Sequence, residues 1–254
     1  MTGGLSALMR RVLFAGIIAG VAAGCVVTLL QMVKLTPLIL AAEVFEDAAP
    51  HNHAAADAAT TSAPGAGHSG YEHGAAVATG AGTEWQPADG LERTAFTLLA
   101  NIIVGAGFGL LLSGAFAMRE AAGGRAPDAR QGVLWGLAGF AAFALAPSFG
   151  LPPELPGSHA ADLPLRQAWW LATAVGTAGG LALLVFTQHL GWRIAGIVLI
   201  AAPHIVGAPH PAVHAAGTAP PELAAAFAAA SLVTAALFWT VLGSLNGWLY
   251  RKLA

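Results

Sequence analysis

Residues 12–33 read VLFAGIIAGVAAGCVVTLLQMV, a run of 22 positions without a charged side chain. A helix needs about 20 mostly apolar residues to cross the roughly 30 Å hydrocarbon core of a bilayer. This stretch therefore predicts a transmembrane helix. Arg10 and Arg11 directly precede it, which favours a cytoplasmic start because basic residues concentrate on that side of a membrane.

The composition of the whole chain fits an integral membrane protein. Its 254 residues are 56% hydrophobic and 9% charged, whereas soluble domains carry roughly 25% charged residues. These figures exclude a soluble globular protein and also a wholly disordered chain, which would be poor in apolar residues. The net charge of −2 gives no basic face for nucleic acid, so we expect a lipid bilayer rather than nucleic acid as the surroundings.

Four further charge-free stretches predict spanning helices, at residues 95–118, 132–151, 168–188 and 223–250. A sixth apolar stretch, residues 194–206, would rise only about 20 Å as a helix, which is less than the hydrocarbon core. It is either a broken span, with Pro203 and Pro209 expected to break the helix, or a re-entrant segment. The predicted fold class is an all-α, polytopic transmembrane helical bundle with five full spans plus one short or broken span, and residues 1–254 form a single membrane domain.

The distribution of basic residues favours six crossings with a cytoplasmic N-terminus. Five simple spans would place Arg251 and Lys252 outside, whereas six place eight of the 11 basic residues inside. Those eight are Arg10, Arg11, Arg119, Arg125, Arg130, Arg193, Arg251 and Lys252. Most carboxylates and histidines then lie outside or at the outer boundary of the membrane.

Small residues recur four positions apart within the predicted spans, which places each set on one helix face. The sets are Gly16/Gly20/Gly24, Gly105/Gly109, Gly132/Gly136 and Gly176/Gly180. They predict close helix–helix contacts. The alternative is that a chain with 32 glycines produces such spacings by chance.

The first outer loop carries many of the histidines. Residues 48–82 are rich in small and polar residues and lack the apolar periodicity of a folded unit, so we expect a flexible loop within the membrane domain. Imidazoles and carboxylates suit divalent cobalt, nickel or zinc. The loop is therefore either an accessory metal-capture region or a solvated linker; its histidines are His51, His53, His68 and His73.

Two carboxylates stand at the membrane-proximal start of this loop. Residues 37–46 continue the helical register of the first span, so Glu43 and Glu46, three positions apart, share a helical face. They are candidates for the same accessory capture. The alternative is that they are ordinary interfacial carboxylates.

The next outer loop is rich in proline and presents Glu154, His159 and Asp162. Proline holds the backbone extended and lowers the entropy cost of presenting these side chains as metal ligands. Trp169 fits an interfacial aromatic belt at the start of the following span. Arg166 offers an alternative for one carboxylate, because it could neutralise Asp162 instead of leaving it free for a cation.

A second histidine cluster follows the short apolar stretch. His204, His210 and His214 fall within eleven residues on a segment interrupted by proline and glycine. Unwound backbone at membrane depth is tolerated mainly where it lines a cavity, so these histidines are candidates for a metal or permeation site. The alternative is a helix-ending device with incidental histidines.

Enzymatic motifs are missing from the sequence. It has no glycine-rich phosphate loop, His-Glu-x-x-His motif, paired-cysteine spacing or nucleophile elbow. We expect no enzyme and no permanently bound cofactor, and ATP hydrolysis in this chain cannot supply the energy for transport.

Several motifs together resemble one family. They are RVLFAG at 11–16 with Gly20, LIL at 38–40 with AE at 42–43, the histidine-rich loop, LPPELPGSHAADL at 151–163, RQAWW at 166–170 and APHIVGAPHP at 202–211. From about residue 9 to 253 the chain resembles the CbtA family of proposed cobalt transporter subunits. The resemblance implies a bacterial inner-membrane protein associated with cobalt supply for cobalamin synthesis. It also implies a small single-span, histidine-containing partner, CbtB. The family is described with five spans, whereas the distribution of basic residues in this chain favours six.

The leading hypothesis is a membrane subunit for uptake of Co²⁺, with Ni²⁺ as a second candidate ion. The predicted metal residues are Glu154, His159, Asp162, His204, His210 and His214. The alternative is a non-transporting membrane metal-binding protein that acts as a sensor or a metallochaperone platform. A homo-oligomer is compatible with either hypothesis.

Overall fold

The computed structural model describes residues 2–48, 87–88, 90–211 and 217–254, and these form helices and connecting loops without a strand. The helices are α1 (Thr2–Ala48), α2 (Leu91–Ala121), α3 (Ala129–Phe140), α4 (Ala146–Ser148), α5 (Leu163–Phe186), α6 (Leu190–Val206) and α7 (Pro221–Lys252). A π-helical turn (Ala141–Leu145) joins α3 to α4. The predicted all-α fold is confirmed.

Four helices, α1, α2, α3 and α7, pack into a unit that we call the frame. Its helices approach through glycine: a Cβ at Gly20 would overlap the carbonyl oxygen of Gly105, and one at Gly132 would overlap that of Gly243. The predicted glycine contacts are confirmed, and their partners include Gly243 and Gly247 on α7. Since lipid tails are as apolar as leucine, such close packing replaces the hydrophobic effect as the force that holds the helices together.

The centre of the frame is filled by aromatic rings and by a few buried polar groups. Phe116 and Tyr250 are fully buried, and their ring centroids lie 5.5 Å apart. Asn246 links α7 to α2, because its Nδ2 donates to the carbonyl oxygen of Gly109 over 2.8 Å and Ser113 Oγ donates to its Oδ1 over 2.7 Å. Both polar atoms of this buried amide are satisfied, which is what burial in an apolar bundle requires.

The remaining long helices, α5 and α6, form an antiparallel pair that we call the hairpin. Gly180 and Gly196 face each other across it. Helix α5 of the hairpin packs on the π-helical turn and α4, which continue α3 of the frame, and to a smaller extent on α3 itself. Ring contacts join them, with centroid distances of 6.1 Å for Phe143 and Trp170 and 5.8 Å for Trp135 and Phe186.

The two ends of the bundle are distinguished by their charged contacts. At the Arg11 end, Arg11 pairs with Glu120 and Arg251 pairs with Asp128. At the opposite end, which we call the His204 end, α6 stops and the loop after α4 meets the start of α5. The N-terminus of α1 and the C-terminus of α7 therefore both lie at the Arg11 end. This agrees with the predicted six crossings, because an even number of crossings returns the chain to the side on which it began.

In the described part of the chain, α1, α2, α5 and α7 are each long and apolar enough to span a membrane. So is the continuous run Ala129–Ser148, which consists of α3, the π-helical turn and α4, whereas α6 is a shorter apolar helix. Its 17 residues would rise about 25 Å, and they connect the two ends of the bundle. Helix α6 begins at Leu190, four residues before the predicted stretch 194–206. The prediction began after Arg193 because it included only uncharged residues, whereas Arg193 lies in the first turn of the helix. The sixth span is therefore short.

One predicted boundary is wrong in detail. Pro203 does not break α6, because it lies inside the last turn, and the helix ends at Val206, directly before Gly207, whose φ of +87° favours glycine. The predicted span at 132–151 is confirmed as the run Ala129–Ser148, which contains the π-helical turn. The first helix runs on to Ala48 through Pro37, which confirms the predicted helical register of Glu43 and Glu46.

Candidate metal site

His204 lies in the last turn of α6 and is held by two aromatic rings. Its ring centroid is 5.8 Å from that of Trp169 at the start of α5 and 6.2 Å from that of Phe149 after α4, both edge to face. Within the described part of the chain, neither imidazole nitrogen of His204 makes a hydrogen bond. The ring is therefore fixed by apolar contacts while its unprotonated nitrogen stays available as a ligand.

The backbone around His204 is also fixed. Trp169 Nε1 donates a hydrogen bond to the carbonyl oxygen of Pro203 over 3.0 Å, and the N–H of Gly207 donates to the same oxygen over 3.0 Å. Proline at 203 has no N–H, so the carbonyl of Leu199 loses its helical donor; Gly176 packs directly against that carbonyl. This packing explains how α6 tolerates a proline one position before its candidate ligand.

The carboxylates of the neighbouring loop differ from one another. Glu154 pairs with Arg166, with 3.0 Å between Oε2 and Nη2. Arg166 thus neutralises Glu154. The predicted alternative, in which Arg166 neutralises Asp162, is wrong. Asp162 is exposed at the N-cap position of α5, where its side chain makes no capping hydrogen bond. Of the two acids, Asp162 is the one whose carboxylate has no ion-pair partner among the described residues.

The other predicted ligands lie at the same end but do not assemble into a centre. His159 and His210 are exposed. Among the described residues, no group of three or more histidine, cysteine or acidic side chains is close enough to hold a metal ion. His204 therefore has fixed aromatic neighbours and no fixed protein co-ligand in the described ranges.

The remaining candidates divide between described and undescribed positions. His51, His53, His68, His73 and His214 lie outside the described residues. Glu43 forms an ion pair with Arg93, which ties α1 to α2 and engages the carboxylate. Glu46, one turn further along α1, is exposed.

Polar residues inside the spans were not among the predicted functional residues. Asn101 Nδ2 donates to Thr28 Oγ1 over 2.9 Å and to Gln31 Oε1 over 2.6 Å. At the Arg11 end, Tyr250 donates to Glu120 Oε2 over 2.9 Å. An amide within an otherwise apolar span is the sequence signal that indicates such a cross-link. Because each group is partnered within the frame, these residues act as ties between helices.

Comparison with known proteins identifies a family. Residues 9–251 match the family model described as a probable cobalt transporter subunit (CbtA). Neither the curated proteins nor the solved structures give a match. The description is that of a transporter subunit, which implies at least one further chain in the complex and does not suggest an enzyme.

Proposed function

Because this chain belongs to the CbtA family of probable cobalt transporter subunits, we propose that Co²⁺ enters it at the His204 end and leaves at the Arg11 end. Positive-inside reasoning places the Arg11 end in the cytoplasm, so the direction is uptake. Only a membrane-crossing protein can perform this task, and the described residues contain five helical segments that are long and apolar enough to cross.

One observation carries the proposal: His204 is held by Trp169 and Phe149, and its ring nitrogens make no hydrogen bond to any described residue. Imidazole is an intermediate ligand that suits Co²⁺ and Ni²⁺, in contrast to the oxygen ligands that Mg²⁺ and Ca²⁺ prefer. A fixed ring costs little entropy to order when it binds an ion. His204 is thus a suitable first inner contact for an arriving transition-metal ion.

A single fixed ligand also fits transport better than storage. Conduction requires that an ion bind well enough to enter and weakly enough to leave. In our proposal Asp162, His159 and His210 take part in capture from exposed positions, and His214 and the histidines of residues 48–82 add further donors. Glu154 contributes less than Asp162 because Arg166 already occupies its carboxylate.

The family resemblance supports finer proposals about biological context. We propose a multi-pass protein of the bacterial inner membrane that supplies cobalt for cobalamin synthesis and works with a small single-span, histidine-containing CbtB-like subunit. Ni²⁺ is a second candidate cargo because the same ligand set binds it.

Whole-cell metal accumulation tests the proposal. Cells that express the unaltered chain with the proposed small partner are compared with cells that express H204A with the same partner. Cobalt, nickel and zinc in both are measured by elemental mass spectrometry. We expect H204A to reduce cobalt accumulation to the level of cells without the protein, while its abundance in the membrane is unchanged.

The matched control is H189A. His189 precedes α6 at the Arg11 end, so this variant removes one histidine from the same helix pair without touching the entry site. Normal cobalt accumulation in H204A, or equal loss in both variants, would overturn the assignment of the entry site. If cobalt binds to the purified protein but does not accumulate in any cells, the chain is a binding protein and not a transporter.

A further inference from the structure

A large apolar groove lies between the frame and the hairpin, in the half of the bundle nearest the Arg11 end. Its volume is about 720 Å³, which is within the range of small-molecule sites. Helices α2 and α5 form its walls and α3 forms its floor. Its lining consists of aliphatic and aromatic side chains together with Gly139, Arg119 and Gln131.

The groove has the depth of one leaflet. On α2 its lining runs from Arg119 to Phe108, eleven positions that rise about 16 Å, close to half of the roughly 30 Å hydrocarbon core. At that depth the Phe143 ring closes the groove. Its centroid is 5.1 Å from that of Phe108 and 6.1 Å from that of Trp170, so rings from α2, the π-helical turn and α5 meet there.

The groove opens sideways toward the bilayer. Leu111, Leu134 and Val185, from three different helices of its lining, are 62%, 67% and 63% exposed. A sealed cavity would bury these side chains. The groove is therefore accessible to molecules that lie in the membrane beside the protein.

The mouth of the groove carries a cation without an acidic partner. Arg11 and Arg251, at the same end, pair with Glu120 and Asp128. Arg119 instead lies over the ring of Phe186, with 5.3 Å between its Cζ and the ring centroid, and it makes no ion pair with any described residue. Gln131, also in the lining, adds an amide that can donate a hydrogen bond.

We propose that this groove binds an anionic phospholipid from the leaflet at the Arg11 end. One acyl chain lies along α3 beneath Phe143, and the phosphate binds the guanidinium of Arg119, with Gln131 as a second donor. Basic pockets between transmembrane helices are known to bind anionic headgroups in this manner. A transmembrane helix of a partner is a poorer fit, because it needs about 30 Å of groove and this one stops at half that depth.

Native mass spectrometry of the full-length protein tests the proposal. The protein is purified from nanodiscs that contain equal amounts of phosphatidylglycerol and phosphatidylcholine with identical acyl chains, and retained lipids are counted. We expect one phosphatidylglycerol to be retained in preference to phosphatidylcholine. R119Q should lower that preference about tenfold, as expected for loss of one charge-assisted hydrogen bond.

Two matched controls separate the site from general effects of charge and bulk. R10Q removes an exposed arginine of α1, outside the groove, and should keep the preference. A182F adds a ring inside the groove and should abolish retention of both lipids, whereas A172F adds the same ring on an exposed part of α5 outside it and should leave retention intact.

Three results would overturn the proposal. These are equal retention of the two lipids by the unaltered protein, equal loss of preference in R119Q and R10Q, or full retention in A182F. A second protein chain in place of lipid would also overturn it and identify the groove as a protein interface. If R119Q does not fold, A182F decides alone, because it keeps the arginine.

Discussion

The contacts within the frame differ from those between the frame and the hairpin. Within the frame, backbones touch at glycine, Asn246 adds a buried hydrogen bond between helices, and Asn101 adds partly buried ones. Between the frame and the hairpin, aromatic rings of α3 and the π-helical turn meet rings of α5. The frame is therefore the fixed part, and we expect the hairpin, which carries His204, to be the part whose position changes during transport.

The largest expected effect comes from breaking the frame at a backbone contact. In G105V the new side chain would overlap the carbonyl oxygen of Gly20, which costs about 3 kcal/mol or more because neither backbone can give way. We expect loss of folded protein, measured as the monodisperse fraction in size-exclusion chromatography after detergent extraction.

The control for this prediction is G107V on the same helix. A Cβ at Gly107 meets no atom within 4 Å, so the valine points into open space. Normal recovery of G105V, or equal loss of both variants, would show that close packing of α1 and α2 does not hold the frame together.

Acidification should affect the hairpin site and spare the frame. A metal ion binds imidazole through an unprotonated nitrogen, so protons compete with Co²⁺ for histidine ligands. We expect cobalt uptake to fall several-fold on acidification while the elution profile of the purified protein is unchanged. Uptake that rises or stays constant on acidification would contradict capture by neutral histidine.

A smaller effect is expected when the support of His204 is loosened. W169F keeps a ring against His204 but removes the hydrogen bond from Nε1 to Pro203, which is worth about 1 kcal/mol. We expect a roughly fivefold increase in the cobalt concentration for half-maximal uptake. W248F, which alters a half-exposed tryptophan near the Arg11 end, should behave like the unaltered protein; an equal change in both variants would remove the role of Trp169.

The smallest effects should have opposite signs. D162N removes a free carboxylate from the His204 end, whereas R166Q releases Glu154 from its ion pair. Since exposed charges act through a high dielectric, we expect D162N to weaken and R166Q to strengthen cobalt capture by about two- to threefold each. Isothermal titration with the purified protein measures both, and a decrease in R166Q would mean that Arg166 is needed for the shape of the loop.

Much of the fold follows from apolar runs and glycine spacing. The five long spans and the presence of helix contacts at Gly16, Gly20 and Gly24 are readable in the sequence, because hydrophobic length and small-residue faces are local properties. That α2 is the helix contacted is known only from the structure. The π-helical turn is not readable, since residues 141–145 look like any apolar helix. The predicted break in α6 is wrong because proline is costly in a helix interior but tolerable in a last turn where a glycine packs on the freed carbonyl.

The candidate site is less readable than the fold. Histidine and acidic residues near membrane boundaries are visible in the sequence, but their pairing is not. Arg166 has two acids within reach, and the turn after α4 decides that Glu154 is its partner. The contact of His204 with Phe149 and Trp169 joins residues more than thirty positions apart, which only the packing of the hairpin on α4 determines.

Cobalt flux into liposomes tests the central claim most directly. The purified chain, reconstituted with the proposed small partner, is exposed to external Co²⁺, and entry is followed with a trapped metal-sensitive dye. We predict time-dependent entry that H204A abolishes and H189A leaves intact. Equal entry through the unaltered protein and H204A, with both folded and inserted, would show that cobalt does not pass by His204.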